Sequence, residues 1–238
     1  MNDATMIKIE TVTATSRTVA EAIQSRRSIR AYLTDPVPSD LVRQVLQLAS
    51  HAPSGSNLQP WKVHVLLGET LSRVGGALNE AFVGDEAGHE RDYKYYTDPL
   101  FEPFIARRRA CGLGLYNTLG ILRDQKDRMK AQRAMNYSFF GAPVGLVFTI
   151  DRRLEKGSWL DYGMFMQTIM IAARSFGLHT CPQASIGEFP AVVRRELKLD
   201  DDQIVVAGLS MGFADPDAIV NGFSPPREPV SGFATFHE

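Results

Sequence analysis

Residues 159–178 carry apolar side chains around every side of the helix they encode. Met164, Phe165, Met166, Ile169, Met170, Ile171, Ala172, Ala173 and Phe176 leave no broad polar face. A helix of this kind must be covered all round, either within a large core or between two subunits. The pattern alone leaves both open. It excludes a membrane span, because Asp161, Gln167 and Arg174 interrupt the apolar run.

The segments around this helix set the fold class. Thr18 is placed to cap a first helix with Val19, Ala22 and Ile23 on one face. Asp35-Pro36-Val37-Pro38 breaks the chain, and Ser39 is expected to cap a second helix carrying Leu41, Val42, Val45, Leu46 and Ala49. Apolar, β-branched runs predict strands over 61–67, 145–150 and 203–210. Further helices are expected over 70–82, 104–122, 124–135 and 190–197. Helices alternate with strands and outnumber them, so residues 1–238 read as one α+β domain. A loose N-terminal tail covers 1–16, and a C-terminal arm with four prolines covers 215–238.

Composition narrows the possible partners. The chain has 26 basic and 27 acidic residues and a net charge of −1, so no basic excess faces a nucleic-acid backbone. A hydrophobic share of 44% excludes intrinsic disorder. Two cysteines, Cys111 and Cys181, cannot staple 238 residues and suit a reducing compartment. Lys8, Glu10 and Arg17 break any signal-peptide core, so a soluble, cytoplasmic protein is expected. The five histidines are scattered, and no metal site is expected.

Two motifs carry the chemistry. Arg26-Arg27-Ser28-Ile29-Arg30 is either a solvated helix end or a clamp for an anion, which guanidinium forks bind bidentately. Pro53-Ser54-Gly55-Ser56-Asn57-Leu58-Gln59-Pro60-Trp61 combines small residues that let backbone approach a ligand with side-chain donors and acceptors. With Gly141-Ala142-Pro143, Asp161-Tyr162-Gly163, Cys181-Pro182-Gln183 and Gly208-Leu209-Ser210-Met211-Gly212 in the same order, the chain resembles the flavin-dependent nitroreductase superfamily from residue 19 to 233.

That resemblance implies a nitroreductase-like fold, with a mostly antiparallel central sheet surrounded by helices in an intertwined homodimer. Two FMN molecules would lie at the subunit interface. Arg26 and Ser28 would hold the phosphate and ribityl chain, with backbone from Arg27, and Arg227 would be a second phosphate ligand. Arg30 would lie by the pyrimidine side of the ring, where a cation stabilises developing negative charge. Pro53, Ser54, Gly55 and Asn57 would reach the flavin from the other subunit. Pro182, Gln183, Ala184 and Ser185 would line the ring near N5. The flavin carries the redox step, so no side chain is required as acid or nucleophile.

The implied activity is ping-pong transfer of hydride from NADPH or NADH to a small aromatic acceptor. A nitroaromatic would be reduced in two-electron steps through nitroso to hydroxylamine. Quinone, enal or azo reduction, reductive dehalogenation, and flavin storage with little turnover are the alternatives. Some family members have Glu at the position of Ala184 and Lys at that of Pro225, so this site is less charged. Residues 86–133 are longer than in the smallest members. Their Tyr93, Tyr95 and Tyr96 either roof the site or belong to an exposed helical hairpin. Gly208-Leu209-Ser210-Met211-Gly212 also matches a hydrolase nucleophile elbow, but Phe213-Ala214-Asp215-Pro216 follows in place of the required helix.

Overall fold

In the computed structural model, which describes residues 15–84 and 88–238, four antiparallel strands form one sheet in the order β1-β2-β4-β3. The expected tail over 1–16 falls almost wholly outside the described residues. The strands are β1 (Lys62–Leu67), β2 (Val144–Asp151), β3 (His179–Gln183) and β4 (Gln203–Gly212). Every residue of β4 is buried, as are the first seven of β2, which makes these the central pair.

Alternation along β2 sorts the core into two layers. Val144, Leu146, Phe148 and Ile150 face α2 (Ser39–Ala49) and α6 (Lys156–Arg174). Val147 faces the other way, with Leu66 and Val205, towards α3 (Gly68–Gly84) and α7 (Pro190–Leu197). The first layer contains Val42, Val45 and Ala49 of α2 with Tyr162, Phe165 and Ile169 of α6; the second contains Val74, Leu78, Phe82, Val192 and Val193. Near-continuous apolar runs in β2 and β4 are therefore needed, since helices cover both faces of the sheet.

Glycine sets the spacing where the turn after β3 crosses the sheet. A Cβ on Gly208 would lie 2.4 Å from Cγ1 of Ile186 and 3.1 Å from its Cβ. Gly208→Ala is expected to cost about 1–3 kcal/mol by overpacking. A thermal midpoint equal to that of the parent protein would show that this approach is not tight.

Several expectations are corrected. β3 was not anticipated: His-Thr-Cys-Pro-Gln has no alternation and contains a proline. It forms because it is an edge strand, where Pro182 can sit exposed without a missing ladder bond. Thr18 does cap α1 (Val19–Ser25), with Glu21 closing a capping box. Yet only Ala22 of that face is buried; Val19 is 72% and Ile23 51% exposed. Ser39 is the first helical residue of α2 rather than its cap, because Pro38 occupies the cap position. α4 (Phe104–Thr118) ends before 122, at the left-handed Gly120, and α5 (Lys126–Ala134) starts two residues late. The C-terminal arm has only short 3-10 turns at Ile219–Gly222 and Val230–Gly232.

The C-terminal end of α6 is buried nearly all round, from Ile169 to Arg174, but its N-terminal part is covered on one side only. Phe165, Ile169 and Ala173 are buried in the first layer, whereas Leu160 is 73% and Met164 41% exposed. Among the described residues, no helix is long and apolar enough to cross a membrane.

Candidate active site

The first arginine motif lies along the outer edge of β3. Ser28 bridges Thr180, and the Ile29 N–H donates to the Thr180 carbonyl at 3.1 Å. Behind it the buried Arg174 donates to Ser25 Oγ (3.1 Å), to the Leu178 carbonyl (3.1 Å) and to His179 Nε2 (2.7 Å). This fixes the end of α1 against the start of β3.

Electrostatics gather the cluster's members. The Arg26 guanidinium is held below its usual pKa by burial and by the like charge of Arg227; the field of Cys181 acts the other way. Burial pushes the Cys181 thiol up, opposed by Arg30, by a hydrogen bond with Ser28 and by Arg26. Arg26, Ser28, Arg30, Cys181 and Arg227 therefore share one neighbourhood, although Arg227 lies 201 residues beyond Arg26 in the chain. Arg27 is half-buried and has no described hydrogen bond to this group. An arginine whose charged form is disfavoured by a second guanidinium nearby makes a site suited to an anion.

The same arrangement separates the two cysteines. Cys181 is buried and its thiol stays protonated, whereas Cys111 is exposed on α4. Alkylation of the native protein should label Cys111 alone, with Cys181 reacting only after unfolding. Peptide mapping that finds Cys181 modified in the native state would contradict this burial.

Beyond Cys181 the strand enters a cavity of about 860 Å³. Pro182, Gln183, Ala184 and Ser185 line it from one side, with Tyr93, Tyr95, Tyr96, Trp159 and Tyr162 around them. Gln183 Nε2 donates to the Asn136 carbonyl at 2.5 Å. Among the described residues, Gln183 Oε1 and Ser185 Oγ, both on lining residues of this cavity, are buried without a hydrogen-bond partner, as is Thr180 Oγ1 further up the strand. Buried polar atoms are rarely left so, and the pair beside the cavity marks where a ligand's polar edge fits.

The aromatic wall is clamped in place. Asp92 accepts from Arg194 at 2.7 and 3.1 Å, from the Val205 N–H at 3.0 Å and from Arg152 at 3.3 Å. The Tyr93 hydroxyl donates to the Val206 carbonyl at 2.6 Å, and burial pushes that phenol up to about 12. Tyr95 and Tyr96 stack edge-on at 4.6 Å, and Tyr93 leans on Trp159 at 4.8 Å. Both readings of residues 86–133 thus apply to different parts: the tyrosines line the cavity, while α4 and α5 bury no residue.

The loop after α2 lies elsewhere. Its Gly55 N–H donates to Asp161 Oδ1 at 3.2 Å, and Ser54 Oγ accepts from the Gln59 N–H at 3.0 Å. Pro53, Gly55 and Asn57 are exposed, and among the described residues no hydrogen bond joins them to the Arg26 cluster. Ser210 is buried mid-strand in β4, 2.9 Å from the Tyr32 hydroxyl, so it is no nucleophile elbow. Asp92, Asn136, Lys156 and Trp159 were not singled out from the sequence, since none stands in a motif.

Comparison with known proteins places this antiparallel sheet flanked by helices in a family. The Nitroreductase family model matches residues 23–213, and the chain belongs to that family. It is 42% identical over 225 residues to the chloronitrobenzene nitroreductase of Comamonas testosteroni, covering 94% of this chain and 99% of that one. It is 41% identical to the 4-nitrobenzoate reductase of Pseudomonas putida, covering 90% and 93%. The crystal structure of the FMN-dependent nitroreductase NfnB from Mycobacterium smegmatis in complex with NADPH superposes with a TM-score of 0.87 at 36% identity, covering 92% and 98%.

Proposed function

We propose that this protein is an FMN-dependent NAD(P)H oxidoreductase that reduces nitroaromatic compounds. The observation that carries the reading is the pair of unpartnered buried atoms, Gln183 Oε1 and Ser185 Oγ, at the cavity, at the end of the strand whose Thr180 pairs with the Arg26–Arg30 segment and whose Cys181 lies in the field of Arg26 and Arg30. FMN fits that arrangement, having a phosphate dianion at one end and a flat ring with polar edges at the other. The names of the relatives, which act on chloronitrobenzene and 4-nitrobenzoate, and an FMN-dependent neighbour bound to NADPH support it.

Bound FMN supplies hydride chemistry, taking two electrons from NAD(P)H and returning two to the acceptor. Arg26 and Arg227 would hold the phosphate, with Ser28 and the Arg27 backbone assisting. Arg30 would supply a cation that favours negative charge on the reduced ring. Pro182, Gln183, Ala184 and Ser185 would frame the ring, and Gln183 is held by Asn136 so that its Oε1 is free to accept. Tyr93, Tyr95, Tyr96 and Trp159 offer aromatic surface on which a planar guest would stack. Each turnover takes two electrons and two protons, converting a nitro group to nitroso plus water; a second turnover gives the hydroxylamine. Solvent supplies the protons.

The working unit is a homodimer in the reducing cytoplasm. Exposed Val19, Ile23, Leu58, Leu160 and Met164 supply apolar surface for a partner. The Pro53, Ser54, Gly55 and Asn57 loop, held on α6, would then reach the partner's flavin. Initial rates with NADPH and nitrobenzene should give parallel double-reciprocal lines and phenylhydroxylamine. Intersecting lines would contradict a shared, alternating site.

A further inference from the structure

The loop over 53–59 is exposed almost throughout, yet its backbone is fixed in a costly shape. Ser56, Asn57 and Gln59 have φ of 49°, 59° and 48°, the left-handed region that L side chains adopt only under constraint. Internal hydrogen bonds close the turn without orienting it: the Gln59 N–H donates to Ser54 Oγ and the Asn57 N–H to the Ser54 carbonyl, both at 3.0 Å. Among the described residues, one hydrogen bond leaves the loop, from the Gly55 N–H to Asp161 Oδ1 at 3.2 Å. Asp161 is only 6% exposed, and among the described residues no cation pairs with its carboxylate. A charge taken out of water without a counter-ion is costly, so its presence there asks for a role.

The helix that carries Asp161 is firmly placed. The hydroxyl of the next residue, Tyr162, lies 2.7 Å from the Lys62 carbonyl and 3.0 Å from the Thr149 carbonyl, which ties α6 to β1 and β2. One turn further on, Phe165 stacks on Trp61 at 4.5 Å, with the rings 2° from parallel. Asp161 therefore grips the start of the loop, and Phe165 the chain just past its end, from one face of α6. Strain of this kind persists only where the surroundings enforce it, and an exposed loop so enforced is shaped for a ligand. Among the described residues, no hydrogen bond joins the loop to the Arg26 cluster of its own chain. We propose that Asp161 is a positioning residue for flavin binding that acts across the subunit interface: by fixing the Gly55 N–H, it presents the loop to the FMN of a second copy. This inference rests on the homodimeric, FMN-dependent reading above.

Its test is FMN titration, followed by flavin fluorescence quenching, of the parent, Asp161→Ala and Asp161→Asn proteins. A heterodimer purified through two different tags, pairing an Arg26→Ala chain with an Asp161→Ala chain, is titrated beside them. Asp161→Ala should weaken FMN binding about tenfold, whereas Asp161→Asn, whose amide oxygen still accepts from Gly55, should stay within about twofold of the parent. In the heterodimer both lesions should fall on one site. The other site combines the intact Arg26 of one chain with the intact loop of its partner. The expected result is one parent-like site per heterodimer, where neither homodimeric variant has any. A role confined to the subunit that carries Asp161, a plain folding defect included, would spoil both sites, so a heterodimer without a parent-like site would overturn the proposal. Equal losses in the Ala and Asn variants, or parent-like binding by Asp161→Ala, would overturn it as well. Asp161→Leu, similar in shape and without an acceptor, takes the place of Asp161→Ala if that chain fails to fold. A parent that binds FMN as a monomer would overturn the proposal and spare the flavin reading; a parent that binds no FMN would sink both.

Discussion

Arg26→Ala and Arg227→Ala should each weaken FMN binding by roughly ten- to a hundredfold, the loss expected when a charge-assisted hydrogen bond worth about 1.5–3 kcal/mol is removed. The effect should fall on the cofactor rather than the fold. The like charge of Arg227 disfavours the charged form of Arg26, so removing either relieves repulsion in the flavin-free protein. Apo-protein titrated with FMN, followed by flavin fluorescence quenching, measures the change, and circular dichroism should stay that of the parent. Unchanged flavin occupancy in both variants would remove the phosphate from this cluster. Arg30→Ala, by contrast, should leave binding largely intact and lower the flavin midpoint potential, because it removes the cation that favours the reduced ring.

Asp92→Ala should produce the largest loss of stability. Its carboxylate is only 6% exposed and Arg194 only 18%, so truncation leaves a largely buried guanidinium without its partner. Breaking such a pair costs about 3–5 kcal/mol. In a chain of this size each kcal/mol lowers the thermal midpoint by about 2–4 °C. Burial alone would raise the Asp92 pKa, but hydrogen bonds from Arg194, the Val205 N–H and Arg152 outweigh it and hold the carboxylate below its ordinary range. A depressed pKa stabilises the folded state fully above the ordinary carboxylate value, and that contribution is lost as pH falls through the lower folded value. The clamp is thus complete at neutral pH. Part of the parent's acid-side loss of stability should vanish in the variant. A variant as stable as the parent at pH 7 would show that the tyrosine wall is held by other contacts.

How much of this was legible in the sequence depended on whether the signal was local. The central strands and α7 could be read because continuous apolar runs and a proline at the first helical turn are properties of neighbouring residues. The proposed flavin site rests on the family's motif order; Arg26 and Arg227 carry no local sign of proximity. β3 escaped because its pairing comes from β4 and Ser28, not from the pattern of His-Thr-Cys-Pro-Gln. Asp92 escaped for a related reason. Its partners Arg194, Arg152 and Val205 are brought to it by three other parts of the chain, and an isolated aspartate beside Tyr93 announces nothing. The all-round apolar character of α6 is legible in its own residues, and the exposed Leu160 and Met164 mark the side the single chain leaves uncovered.

One spectrum tests the central claim most directly. The purified protein, loaded with FMN and kept anaerobic, receives NADPH and then 4-nitrobenzoate in one cuvette. The account predicts a yellow protein that bleaches with NADPH and regains its flavin absorbance as the nitro compound is consumed. A protein that takes up no FMN, or whose bleached flavin is not reoxidised by the nitro compound, would contradict it.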